Sequence, residues 1–141
     1  MKMTTLLKLA SASAIVFGLA FTACTLTANA ADLPPASTQT GVTYADNIKP
    51  IFDNSCTKCH SGEKPKAHLK LDSLANALKG GEDGKVVIPG NSAKSPMVLA
   101  IAHATKDPHQ WMPPMHNRAG IEPLTPEQIG LIRAWIDQGA K

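Results

Sequence analysis

The stretch Cys56-Thr57-Lys58-Cys59-His60 decides how the rest of this chain is read. Two thiols three positions apart, followed at once by an imidazole, form the attachment signature of a c-type haem. The spacing follows from the chemistry. Each cysteine sulfur adds to one vinyl group on the same edge of the porphyrin, giving two thioethers. The next residue then lies under the ring with a nitrogen for the iron. A redox dithiol would sit at a strand-to-helix turn in a βαβ setting, and the sequence shows no such alternation. A structural zinc site needs a second ligand pair at short spacing, yet no cysteine follows Cys59. Cys56 and Cys59 are therefore expected to hold one covalent haem c, with His60 as the proximal ligand of its iron.

Upstream of this motif, residues 1–30 read as a secretory signal. Lys2 and Lys8 give a positive start, Ala10 to Ala23 is apolar or small, and Ala28-Asn29-Ala30 offers a small-x-small cleavage site. The apolar stretch is short and broken by Ser11, Ser13 and Gly18, which argues against a retained membrane anchor. Phe21-Thr22-Ala23-Cys24 resembles a lipoprotein box without its usual leading leucine, so membrane association is expected only if Cys24 is lipidated. A periplasmic or otherwise exported protein is the expectation. Past the leader, Cys56 and Cys59 are the only cysteines, and no disulfide framework competes for them.

Residues 31–42 carry Pro, Ser and Thr without periodicity and read as a flexible lead-in. The remaining 43–141 is short enough for one domain only. A first helix is expected over Thr43 to Ser55, with Tyr44, Ile48, Ile51 and Phe52 on one face. Pro50 leaves two forms open: a helix that begins near Asp46, or one that kinks at the proline. Either form delivers the chain into Cys56. The chain has six Phe, Tyr and Trp residues in all, two of them in the leader. A buried porphyrin would supply the apolar surface that so few aromatics leave missing.

Downstream, Lys58, Lys64, Lys66 and Lys70 cluster around the motif. They read first as a solvated face; the functional reading is a docking surface for an acidic redox partner protein. His68 among them reads as a surface residue. A second helix is expected from Ser73 to Lys79, capped by Asp72 and stopped by Gly80-Gly81. Gly81 to Gly90 is a glycine-punctuated loop in which Val86, Val87 and Ile88 could make one short strand. Ser95-Pro96 opens a third helix, cap followed by proline, with Val98, Leu99, Ile101 and Ala102 inward and Met97 in the core.

Trp111-Met112-Pro113-Pro114-Met115 is the second chemical stretch. An iron held by His60 has a sixth position to fill, and a thioether there favours the ferrous state and raises the reduction potential. Paired prolines keep the backbone extended, which suits a loop crossing the open face of the ring. Met112 is the preferred distal ligand and Met115 its rival. His103, His109 and His116 are further alternatives, and the residues alone leave the choice open. The last helix is signalled by Thr125-Pro126-Glu127-Gln128, a cap, a first-turn proline and a capping-box glutamine. Ile129, Ile132 and Ile136, widened by Leu131 and Trp135, form its inner stripe, and Gly139 ends it.

From Tyr44 to Ala140 the chain resembles the class I mono-haem cytochromes c, and more narrowly the planctomycete-type cytochrome c domain. The narrower likeness rests on Ile48-Lys49-Pro50-Ile51-Phe52 before the haem motif, Leu69-Lys70-Leu71-Asp72, Gly80-Gly81, Ile88-Pro89-Gly90, Ser92 and Ser95. It continues through Met112-Pro113-Pro114 and the closing Ala134-Trp135-Ile136-Asp137-Gln138-Gly139-Ala140. The resemblance implies an all-α fold: about four helices around one covalent haem, the N- and C-terminal helices crossing. It also implies Cys56 and Cys59 as thioether sites, His60 as proximal ligand and Met112 as distal ligand. The second methionine and the flanking histidines of His109 to His116 depart from the family pattern. Many relatives fuse this domain to larger exported regions; here a free-standing carrier is expected.

The function expected from these features is one-electron transfer by a monomer that is not an enzyme. A haem sensor or peroxidase-like enzyme with an open or displaceable distal position is the alternative. With Lys2 and Lys8 in the leader, 12 basic residues stand against 11 acidic ones in the remainder. That balance provides no basic stripe for nucleic acid.

Overall fold

Thr43 opens the first helical segment of the computed structural model, which describes residues 33–141. Its hydroxyl accepts from the Asp46 N–H at 3.2 Å and satisfies one of the free donors of the first turn. The turn Tyr44–Ile48 is π-helical and runs straight into α1 (Lys49–Ser55). Pro50 accounts for this. It has no N–H to return to the carbonyl four residues back, and just before it the Lys49 N–H reaches the Tyr44 carbonyl, five residues back. Of the two forms left open by the sequence, the chain takes the one that is helical ahead of the proline and irregular there.

Three further α-helices follow among the described residues: α2 (Leu74–Lys79), α3 (Pro96–Ile101) and α4 (Pro126–Asp137). Short 3-10 turns at Lys66–His68, Ser92–Lys94 and Pro108–Gln110 join them. No strand forms among the described residues; Val86 to Ile88 stay in a loop, beside an isolated bridge between Gly81 and Gly84. The all-α expectation holds. Two capping assignments change. The cap of α2 is Ser73, whose side chain accepts from the Asn76 N–H, while Asp72 accepts instead from the Asn76 side-chain amide at 2.7 Å. Ser95 stands at the start of α3, but its hydroxyl is used elsewhere. It donates to the Asn91 carbonyl and accepts from the Ile88 N–H, each at 2.9 Å. Proline at the first position of α3 lacks an N–H, so one capping donor fewer needs a partner there.

α4 forms as the sequence predicts. The Thr125 hydroxyl accepts from the Gln128 N–H, and the Gln128 side chain accepts from the Thr125 N–H. Ile129, Ile132, Trp135 and Ile136 are buried along one side. Trp135 joins α4 to the first helical segment, its ring 6.0 Å from that of Tyr44 and 6.3 Å from that of Phe52. Tyr44 and Phe52 are themselves 6.0 Å apart and edge-on. These three rings make up much of the bulk of this small core, and the edge-to-face contacts of Phe52 with the other two suit their quadrupoles.

The lead-in is irregular, as expected, yet it lies against α4 and is held there. The Ser37 N–H donates to the Gly130 carbonyl at 2.9 Å, Arg133 donates to the Pro34 carbonyl, and Gln138 bridges Gln39 and Val42. Leu33 and Val42 are buried at its two ends. Gly130 permits the approach, since a Cβ there would stand 2.7 Å from the Pro35 carbonyl oxygen. Residues 33–42 thus pack along α4 as a strap. The expected signal segment and Cys24 lie outside the described residues, among which no helix is long and apolar enough to cross a membrane.

Candidate haem site

Cys56 follows directly on α1, and the motif folds as a tight turn on the end of that helix. The Cys56 and Thr57 N–H groups both donate to the Phe52 carbonyl, at 2.8 and 2.9 Å. The Cys59 and His60 N–H groups then both donate to the Cys56 carbonyl, at 3.1 and 3.0 Å. Hydroxyls reinforce the turn: Thr57 donates to the Asp53 carbonyl and Ser61 to the Thr57 carbonyl. Cys56, Cys59 and His60 are thus presented from a single rigid knuckle. Neither cysteine is in a disulfide.

All three residues line one cavity of about 1160 Å³. That is somewhat above the usual range of about 300–1,000 Å³ for small-molecule and cofactor sites, room enough for a large flat ring. Its walls are largely apolar, drawn from α1, the loops on either side of α2, α3, the segment before α4, and α4 itself, through residues such as Phe52, Leu69, Leu71, Leu99, Leu124 and Ile132. Met112 and Pro113 line it as well, so one space takes in both stretches that the sequence singles out. Met115 does not line it and is 68% exposed. His109 and His116 reach the cavity from its exposed rim. His103 does not; its ring stacks on Trp111 instead. His68 is exposed and faces Glu82 at 2.9 Å, as a surface residue should.

The donor set fits a haem c. The Nδ1 atom of His60 is buried without a hydrogen-bond partner, one of two such side-chain atoms among the described residues. Burial lowers the His60 pKa, although the Leu69 and Lys66 backbone pulls the other way. A neutral imidazole is the form that ligates a metal. Burial, with the Cys59 charge adding to it, pushes the Cys56 thiol up to about 12, so this sulfur is held as a thiol. No group of three His, Cys, Asp or Glu side chains that could hold a bare metal ion occurs among the described residues. A single imidazole beside two thiols on an apolar cavity suits a ring that brings its own metal far better than a four-ligand ion site.

Two supports of this site are not visible in the linear sequence. The Leu71 N–H donates to the His60 carbonyl at 2.8 Å, and the Tyr44 hydroxyl donates to the Leu71 carbonyl at 2.9 Å. Tyr44 is buried, and burial together with the charges of Asp53, Asp72 and Cys56 pushes its pKa up to about 12. The first helical segment is thereby tied through Leu71 to the histidine of the motif. Glycine supplies the second support. A Cβ on Gly81 would lie 2.6 Å from the Ala67 carbonyl oxygen, which also accepts from the Glu82 N–H. Only a glycine lets the 81–84 loop close on the Lys66–His68 turn along the cavity wall.

A helical domain that offers two thiols and an imidazole from one knuckle to an apolar cavity also lined by a methionine loop resembles a cytochrome c domain. The comparison with protein families agrees. Residues 56–116, a little under half of the chain, match the family model described as planctomycete cytochrome C. Those residues run from the first cysteine of the motif past the methionine loop. No curated protein and no solved structure matches the chain.

Proposed function

We propose that this chain is an exported mono-haem cytochrome of the class I arrangement that carries one electron at a time between redox partner proteins. A cytochrome c-like domain implies haem-based electron transfer in general; the proposal adds the ligands and the carrier role. Cys56 and Cys59 would tether one haem c, and His60 and Met112 would fill its two axial positions. When bound, the group supplies a reversible ferric–ferrous couple. The chain itself sets the surroundings of that couple. The largely apolar walls would surround the ring, the knuckle fixes His60, and the exposed Cys59 would leave the tethered edge near the surface, where a partner can approach.

The observation that carries this reading is the shared cavity: Met112 lines it together with Cys56, Cys59 and His60, while Met115 is exposed and outside it. A methionine on the sixth position leaves no open site for a substrate. The second reading, a sensor or peroxidase-like enzyme, draws on His109 and His116 at the cavity rim, either of which could replace a weakly held methionine. Carbon monoxide separates the two. The reduced holoprotein at neutral pH is expected to bind it negligibly and to react slowly with peroxide. Ready formation of a carbonyl complex would sink the carrier proposal in favour of the sensor or enzyme.

A further inference from the structure

The ring of His103 lies flat against that of Trp111, centroids 4.9 Å apart and planes 3° from parallel. His103 sits just beyond α3 with φ at 53°, in the left-handed region where histidine is one of the few enriched side chains. It therefore combines a flat ring with a backbone turn that other aromatic residues adopt at greater cost. Around this stack the chain ends of α3 and the methionine loop are joined. The Ala100 carbonyl accepts from both the His103 and the Met112 N–H, each at 3.1 Å. The Ala104 N–H donates to the Leu99 carbonyl at 2.8 Å, and the Trp111 indole N–H donates to the Thr105 carbonyl at 3.2 Å.

We propose that His103 is a positioning residue for the distal ligand: stacked on Trp111, it clamps the neighbouring Met112 to the end of α3 and holds it at the cavity. This rests on Met112 as the sixth ligand. His103 does not line the cavity, so it acts through Trp111 and not on the iron. Its Nε2 is buried without a hydrogen-bond partner among the described residues, and its ring is stacked on that of Trp111. Loosening the clamp raises the fraction of molecules whose methionine is off the iron, and an external ligand then competes more easily.

The test is a titration of the ferric holoprotein with imidazole, after its far-red methionine–iron absorption has been recorded. His103→Gly removes the ring and relieves the backbone, and a lost aromatic stack should tighten imidazole binding by roughly two- to tenfold. Trp111→Leu should do the same, whereas Trp111→Phe, which keeps a ring to stack and loses only the indole bond to Thr105, should shift clearly less than Trp111→Leu. If His103→Gly does not accumulate with haem, the two Trp111 variants carry the comparison. Unchanged imidazole affinity in proteins that show the far-red band would overturn the clamp alone. A wild-type protein without that band would overturn the Met112 reading, and the clamp with it.

Discussion

Replacing Tyr44 by phenylalanine tests how the fold supports the haem knuckle. The substitution removes one hydroxyl and leaves the ring to pack against Phe52 and Trp135. It breaks a 2.9 Å bond to the buried side of Leu71, the residue whose N–H holds the His60 carbonyl. A typical hydrogen bond contributes about 1 kcal/mol net, and a carbonyl left unpaired in the interior costs roughly 1–3 kcal/mol. A loss of about 1.5–3 kcal/mol is expected from urea unfolding followed by circular dichroism, with the slope of the transition unchanged.

The same residue has an alkaline signature. Its hydroxyl titrates at about 12 in the folded chain against 10.0 ordinarily. The folded value is the higher one, so its contribution is complete below pH 10 and is lost as pH rises toward 12. The difference, due first to burial and then to the Asp53 and Asp72 charges, sets a ceiling of about 3 kcal/mol on the alkaline loss. Tyr44→Phe should be less stable at pH 8 yet fall less steeply above pH 10. A variant within 0.5 kcal/mol of wild type, with an unchanged alkaline slope, would refute the buttress (the threshold being about the error of such comparisons).

Two other substitutions have expected outcomes of definite sign. Alanine is the better helix former by about 1 kcal/mol, so Gly130→Ala should stabilise an α4 with nothing against it. Here the added Cβ would meet the Pro35 carbonyl oxygen at 2.7 Å, and a net loss of about 1–3 kcal/mol in thermal or urea unfolding is expected; a gain would show that the lead-in is not packed there. Replacing both Cys56 and Cys59 by alanine in a host that attaches haem c should abolish haem staining on a denaturing gel, and a stained band would contradict the thioether assignment.

What the sequence revealed and what it hid divide along a physical line. The capping box at Thr125 and Gln128, the proline at the start of α3 and the Cys-x-x-Cys-His spacing are local patterns. Their partners lie within four residues, so a linear reading finds them. The ties that shape the site and the fold around it run between distant positions: Tyr44 to Leu71 beneath the motif, and Gln138 to Gln39 and Arg133 to Pro34 along α4. Residues 33–42 have no periodicity of their own, and only the groove along α4, with Gly130 at its floor, gives them a place. The Asp72 and Ser73 assignments miss by one residue because both side chains suit a cap, and packing decides which one takes it. The pairing of His103 with Trp111 has no sequence signal at all. It depends on a left-handed turn after α3 that no local rule foretells.

The proposal that His60 and Met112 together hold the iron is tested most directly by the far-red spectrum of the ferric holoprotein. A weak far-red band of the methionine–ferric iron bond is expected in the wild type. It should persist in Met115→Ala, whose parent side chain is exposed and outside the cavity, and vanish in Met112→Ala. A band that survives Met112→Ala, or haem absorption with no such band in the wild type, would contradict the assignment and move the protein toward histidine ligation or an open distal site.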